Sequence, residues 1–190
     1  KYIKQINEKE KINFKENLKI IDNQIKQIGN LVNEFSDFAR MPKPIMKSNN
    51  LIKLIEDNIK LLSEIDHKVE IKLIKKSDQI FFKSDKEQLS RVFLNLIKNS
   101  IESIQQKAEN TNDFNKKITI EIEGSDDHIS IIILDNGVGF DIFKKNIKDI
   151  LNPYFTTKKN GTGLGLSIVN KIINDHNGKI NFIPINNGAK

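Results

Sequence analysis

Three short stretches of this 190-residue chain carry residue types and spacings that could handle a polyanion. "NLIKNS" sets Asn95 and Asn99 four residues apart, so that on a helix both amides project from one face. They interrupt an apolar pattern of Phe93, Leu94, Leu96 and Ile97, and a buried amide without partners is costly. A hard cation such as Mg²⁺ accepts amide oxygens and keeps several waters while it bridges phosphates; satisfied core or surface polars are the plainer alternative. "LDNGVGF" ends an apolar run at Asp135 and adds Gly137 and Gly139. A carboxylate there can accept from the exocyclic amine of a base while the glycines let the backbone approach the ring, although Asp-Asn-Gly is also an ordinary turn. In "NGTGLGLSIV", Gly161, Gly163 and Gly165 free backbone amides to turn toward an anion, and the helix that follows adds its positive N-terminal end. No Lys-Ser or Lys-Thr follows these glycines and position 166 is Leu, which excludes both the P-loop pattern and the dinucleotide fingerprint. Upstream, "PYFTTKKNGTG" adds two hydroxyls and Lys158, within reach of phosphate oxygens if the segment is a lid; a solvated basic loop is the alternative.

These groups need elements to position them. "DKEQLSRVFLNLIKNSIESI" reads as an amphipathic helix entered through Asp85, with Leu89, Val92, Phe93, Leu96, Ile97 and Ile104 inward. "NNLIKLIEDNIKLLSEI" is a second helix, capped by Asn, with Leu51, Ile52, Ile55, Ile59 and Leu62 at helical spacing. "VEIKLIK" alternates like a half-buried strand, "QIFFKSD" is a short strand, and "KITIEIE" and "HISIIILD" are strands joined through "GSDD". The last of these is apolar over Ile131 to Leu134, as a central strand is. After the glycines come a helix, "LSIVNKIINDH", and a strand, "GKINFIPI". Helices and strands alternate without the regular rhythm of a doubly wound fold, so the expected architecture is α+β: a mixed sheet covered on one face by helices.

The N-terminal part follows another period. Leu18, Ile21, Ile25, Ile28, Val32, Phe35 and Ala39 are spaced alternately three and four apart, and Leu31 and Phe38 widen that seam to the face a helix bundle buries. The helix should stop at "RMPKP", where Pro42 and Pro44 offer no N–H. Lys1 to Phe14 reads as the end of a preceding antiparallel helix and a turn. A seam without a partner in the chain predicts a homodimer, missing upstream sequence, or both.

Composition removes several classes. With no Cys there is neither a disulfide framework nor a thiolate metal site, in keeping with a reducing compartment. No apolar run is long enough to span a membrane. The formal charge of +6 is spread along the chain rather than gathered into a stripe, which favours a solvated Lys-rich surface over direct nucleic-acid binding.

Taken together and in order, "NLIKNS", "DNGVGF", "FTTK" and "GTGLGLSIV" resemble the N, G1, F and G2 boxes of the catalytic ATP-binding domain of two-component sensor histidine kinases. That domain belongs to the superfamily shared with gyrase, Hsp90 and MutL, a two-layer α/β sandwich. The likeness runs from about Asn50 to Ala189, and "NEFSDFARMPKP" resembles the second helix of the dimerisation and phosphotransfer hairpin; the wording is most similar to nitrogen-regulation kinases of the NtrY type. The resemblance implies residues 1–44 as a partial hairpin and 45–190 as the catalytic ATP-binding domain. It implies ATP and Mg²⁺, with Asn99 as metal ligand and Asn95 toward the phosphates, where with Lys158 it serves transfer. Asp135 would read adenine, with Gly137 and Gly139 shaping the pocket. Phe155, Thr156, Thr157 and Lys158 would form the lid, and Gly161, Thr162, Gly163, Leu164, Gly165 and Leu166 would pack around the phosphates. The implied partners are a second copy through the heptad helix and the receiver domain of a response regulator, in the cytoplasm; if the NtrY likeness holds, transmembrane helices upstream would anchor the parent chain in the bacterial inner membrane.

This sequence departs from the family at the acceptor. The family phosphorylates a His followed by an acidic residue and Pro, and His67, His128 and His176 all lack that context. The acceptor is therefore expected upstream of Lys1 and the isolated chain is expected not to phosphorylate itself. The family also continues with a further strand after "NGA", which leaves the sheet short. Three other readings remain: an ATPase clamp of the gyrase, Hsp90 or MutL kind, a Ser kinase of the same superfamily, or a dimerising interaction module with a vestigial pocket. Asn95 stands where a clamp would carry its water-activating Glu, and the hairpin argues against the Ser kinase.

Overall fold

The computed structural model describes residues 8–64, 67–111, 114–124, 128–139, 147–158, 161–185 and 188–190. The first element is one helix, α1 (Glu8–Ala39), of 32 residues. Residues 8–14 continue it, so the turn expected before Phe14 does not occur there; Ile3 and Ile6 lie outside the described residues. Its seam faces solvent: Ile21 is 53% exposed, Ile25 64%, Ile28 60% and Val32 53%. Toward its C-terminal end it meets the rest of the chain, where Phe38 and then Met41 pack on the core. The prolines end it as expected, and the linker is pinned: Gln88 Nε2 donates to Pro42 O at 2.9 Å and the Ile45 amide to Asp85 Oδ2 at 2.8 Å.

A strand that the sequence pattern did not announce follows, β1 (Lys47–Asn50). Its residues, "KSNN", carry no apolar alternation; pairing makes it a strand, antiparallel to β3 (Phe81–Ser84), with Asn49 Nδ2 donating to Ser84 O at 2.8 Å. Asn50 then caps α2 (Leu51–Ser63) by accepting from the Ile52 amide at 3.1 Å, as expected. α3 (Lys86–Ala108) begins at its expected cap, Asp85, whose Oδ1 accepts from Glu87 and Gln88 at 3.0 and 3.1 Å.

Five strands form the main sheet: β2 (Glu70–Lys75), β4 (Lys117–Gly124), β5 (Ile129–Asp135), β6 (Pro184–Ile185) and β7 (Gly188–Ala189), in the order β2-β4-β5-β7-β6. β2 runs parallel to β4 and the other pairs are antiparallel, so the sheet is mixed as expected. β3 belongs to the separate ribbon with β1 rather than to this sheet. The strand expected over residues 178–185 shrinks to Pro184–Ile185 at the sheet edge, where a proline is tolerated; Ile183 extends the pairing by exchanging backbone bonds with Lys190 at 2.6 and 3.0 Å. The turn residues 125–127 lie outside the described residues.

Parity along β4 decides the layers. Ile118, Ile120 and Ile122 are almost wholly buried, and they alternate with Thr119, Glu121 and the exposed Glu123 on the other face. Register places Asp135 opposite Ile118, Ile133 opposite Ile120 and Ile131 opposite Ile122, so Asp135 shares the apolar, helix-covered face. Over that face lie α2, α3 and α4 (Gly165–Asp175), joined in one core by Ile55, Ile97, Ile104, Ile168 and Ile172. A short 3-10 helix (Ile147–Leu151) precedes α4. His176 ends α4: its Nε2 accepts from the Asp85 amide at 3.0 Å, so the ring proton sits on Nδ1, 2.8 Å from Ile172 O. The expected structural role of His176 is the observed one.

Candidate functional site

Helix α3 is the platform of the site. Asn95 and Asn99 both leave its solvent-side edge half-buried, one turn apart. Asn95 Nδ2 donates to Arg91 O at 2.8 Å, which turns Oδ1 toward the start of α4; a Cβ on Gly165 would lie 2.9 Å from that oxygen. Asn99 Oδ1 accepts from Lys158 Nζ at 2.9 Å. The same ammonium is paired with Glu102 Oε2, three residues further along α3.

Asp135 ends β5, 8% exposed, on the face that meets α3. Its Oδ2 accepts from Ser100 Oγ at 3.1 Å and its Oδ1 from the Gly137 amide at 3.0 Å. Burial pushes its carboxyl above the usual aspartate range, and the Gly137 amide, the Ser100 hydroxyl, the Ala189 amide and the Lys107 charge oppose that rise. The two glycines beside it make close approaches of their own. A Cβ on Gly137 would fall 2.6 Å from the Ser103 carbonyl carbon, and one on Gly139, at φ +70°, 2.4 Å from Gly188 O. Gly137 therefore lets the strand end press on α3, where the Val138 amide donates to Ser103 Oγ at 3.1 Å.

The lid segment is folded onto itself and onto α3. The Lys158 amide donates to Thr156 Oγ1 at 3.1 Å, and Thr157 is exposed while Phe155 is half-buried. Gly163 takes φ +73°, and a Cβ there would lie 2.5 Å from the Tyr154 carbonyl carbon, so this position requires glycine on both counts. Leu164 is fully buried in the core and Leu166 half-buried; Leu164 anchors the turn into α4. No side chain caps α4, whose first turn begins at Gly165 beside Asn95, so its amides retain the electropositive character suited to an anion. Thr162 Oγ1 bonds to Glu34 Oε2, which brings α1 against this loop.

The fold thus brings Asn95 to Gly165, Asn99 to Lys158, and Asp135 to Gly137, all along α3. Ser100, Glu102, Ser103 and Glu34 complete the contacts, and sequence reading passed over all four. Glu102 and Ser103 could have been found by following the α3 face one turn beyond Asn99, and Ser100 as the hydroxyl next to it in the chain; nothing local marks Glu34. Among the described residues no group of three His, Cys, Asp or Glu could hold a metal. The donor set nevertheless suits Mg²⁺, which needs one amide oxygen when phosphates and water supply the rest, and Asn99 Oδ1 already faces a cation. A cleft of ≈ 340 Å³ lined by Phe38, Leu151, Ser167 and Asn170 among others lies between α1, the 3-10 helix and α4, and involves none of Asn99, Asp135 or Lys158.

A mixed sheet under three helices, an amide-bearing central helix, a buried Asp at a strand end and a glycine loop opening a helix together define a nucleotide-binding domain of one class. The family model described as histidine kinase-, DNA gyrase B- and HSP90-like ATPase matches residues 84–189, more than half of the chain, and the chain belongs to that family. Within it the likeness is to sensor histidine kinases of the NtrY type. The chain is 34% identical over 170 residues to an NtrY-like sensor histidine kinase of Rickettsia felis, covering 90% of this chain and 27% of that one. It is 32% identical over 168 residues to the nitrogen regulation protein NtrY of Azorhizobium caulinodans, covering 87% and 21%. It therefore spans about a quarter of the length of these relatives. Among solved structures, the nucleotide-free catalytic domain of histidine kinase ThkA matches with TM-score 0.64 and 29% identity over 76% of this chain and 91% of that one. ThkA in complex with the response regulator protein TrrA matches with TM-score 0.70 over 93% and 49%, at 24% identity, a likeness of fold alone. No helix among the described residues is long and apolar enough to cross a membrane.

Proposed function

We propose that this chain is the ATP-binding catalytic core of a sensor histidine kinase, with its functional boundary between residues 44 and 45, and that it binds Mg-ATP along α3. The observation that carries the reading is the cation on Asn99 Oδ1: the lid reaches the α3 amide face, and that oxygen is oriented toward positive charge. Asp135 accepts from the adenine amine, and the amides at the start of α4 take the phosphates. Asn95 holds the glycine loop in register, Asn99 ligates Mg²⁺, and Lys158 meets the γ-phosphate when it leaves Asn99. The metal supplies neutralisation of the charge on the phosphates; the chain supplies position. The P–O bond to ADP breaks and a P–N bond forms on a histidine of another segment, from which the phosphoryl group passes to an Asp of a response regulator receiver domain. His176 is committed to its bonds with Asp85 and Ile172, and His67 and His128 are followed by Lys68 and Ile129 rather than by the acidic residue and Pro of the family's acceptor, which supports an acceptor outside this chain.

The exposed seam of α1 is the surface for a second copy, and the whole works on the cytosolic side of a bacterial membrane. The test is calorimetry with a non-hydrolysable ATP analogue, with and without Mg²⁺. Wild type binds more tightly with metal, and Asn99→Ala erases the difference. A folded wild type that binds nothing refutes the reading, as does acid-labile, base-stable phosphate on the isolated chain for the absence of an acceptor.

A further inference from the structure

A lid lysine resting on a metal ligand needs something to hold it there. Glu102 lies three residues beyond Asn99, hence on the same face of α3 and one turn on. One ammonium, Lys158 Nζ, serves both: it pairs with Glu102 Oε2 and donates to Asn99 Oδ1 at 2.9 Å. The side chains of Lys158 and Glu102 are 37% and 35% exposed, so the pair is partly withdrawn from water. Lys98, 4.0 Å from Glu102 Oε1, is the other charge beside it, but its side chain is 70% exposed and its ammonium stays largely hydrated. The backbone of Lys158 is steadied as well, through Thr156 Oγ1, against which Gly161 packs so closely that a Cβ would stand 2.5 Å away.

We propose that Glu102 is a positioning residue that latches the lid: in the nucleotide-free chain it holds the Lys158 ammonium on the Asn99 amide oxygen, where that ammonium competes with the divalent cation. An ammonium and a divalent ion at bonding distance from one oxygen repel each other strongly, so arrival of the metal expels Lys158. The expelled ammonium is then free for phosphate oxygens. Metal entry and lid release become one event, and Glu102 sets its threshold. This rests on the reading of Asn99 as the Mg²⁺ ligand.

Two measurements on the whole chain separate the latch from that reading. The first is acylation of the nucleotide-free chain with an N-hydroxysuccinimide ester, followed peptide by peptide by mass spectrometry. Lys158 reacts more slowly than the exposed Lys53, and Glu102→Gln accelerates Lys158 by about threefold while leaving Lys53 unchanged. Equal Lys158 rates in the two chains overturn the latch, whatever nucleotide binding shows. The second is calorimetric titration with a non-hydrolysable ATP analogue and Mg²⁺. Glu102→Gln binds about threefold more tightly than wild type, the size of gain expected when a partly exposed ion pair no longer has to open, and the gain disappears in a Lys158→Gln background. Weaker binding by Glu102→Gln, or the same change with and without Lys158, overturns the proposal, because the carboxylate then acts on the metal directly. Metal dependence that survives Asn99→Ala overturns the competition through the reading beneath it, and the acylation result identifies that cause by remaining as expected.

Discussion

Asp135→Asn separates what this carboxylate does to the fold from what it does for a ligand. Its 8% exposure and the resulting upward pKa shift mean that the ionised form is disfavoured in the folded chain relative to the unfolded one. A carboxyl raised above its ordinary value of about 3.9 contributes stability that is complete below that value and is lost as pH rises through the folded pKa. An Asn keeps the acceptor for the Gly137 amide, and its Nδ2 can donate to a Ser100 Oγ turned to accept. At pH 7 the variant should therefore melt at or above the wild-type temperature, and the difference should close toward about pH 4. Binding should move the other way. A hydrogen bond to a charged acceptor is worth about 1.5–3 kcal/mol, or about 10- to 150-fold in Kd. Since an amide can also present a donor to the adenine amine, the upper end applies, a loss of about 100-fold. Thermal melts at pH 4 and 7 beside calorimetry with an ATP analogue check both halves. A variant that binds like wild type refutes the adenine role. One that loses both binding and stability at pH 7 shows instead that the carboxylate holds β5 to α3.

Asp85→Ala removes the α3 cap and the anchor of Ile45, at a cost of about 1 kcal/mol in denaturant unfolding at pH 7. Burial alone would raise the Asp85 pKa, but the Ile45, Gln88 and Glu87 amides and His176 hold it below the usual range; the cost should accordingly be full above about pH 4 and fade as pH falls through the folded pKa. Gly163→Ala should destabilise by about 1–2 kcal/mol from the positive φ alone, and by more because its Cβ would meet the Tyr154 backbone. Gly29→Ala, with nothing within 4 Å and inside α1, should stabilise by about 0.5–1 kcal/mol, so the two chains melt on opposite sides of wild type. On the proposed pairing of two copies through α1, the wild type should self-associate in sedimentation equilibrium and Ile25→Asp, on the exposed seam, should abolish this while leaving nucleotide binding unchanged.

Much of the architecture is legible from local pattern. The 3.6-residue period and the Asn50 and Asp85 caps locate α2 and α3, because periodicity and capping are satisfied by neighbours within a turn or two. The apolar run Ile131–Leu134 marks a central strand, and the order of the four motifs is enough to place the chain in its family. The prolines stop α1, and the three-four spacing of its seam predicts a surface that one helix cannot bury.

Pairing and proximity lie beyond local pattern. "KSNN" becomes β1 only because the backbone of residues 81–84 lies alongside it, a partner more than 30 residues away that no local preference names. The parity that turns Asp135 toward α3 rather than away follows from the register of β5 on β4, and a slip of one residue would have reversed it. The glycines of the two loops are visible as glycines, but their neighbours, Ser103, Gly188, Tyr154 and Asn95, are decided by packing. Lys158 and Glu102 stand 56 residues apart and meet only because the lid folds back across α3. The sequence by itself determined which groups could do the chemistry and which elements carry them. The tertiary structure decided which charge each group meets, because electrostatic contact depends on distance in space, and chain separation does not report it.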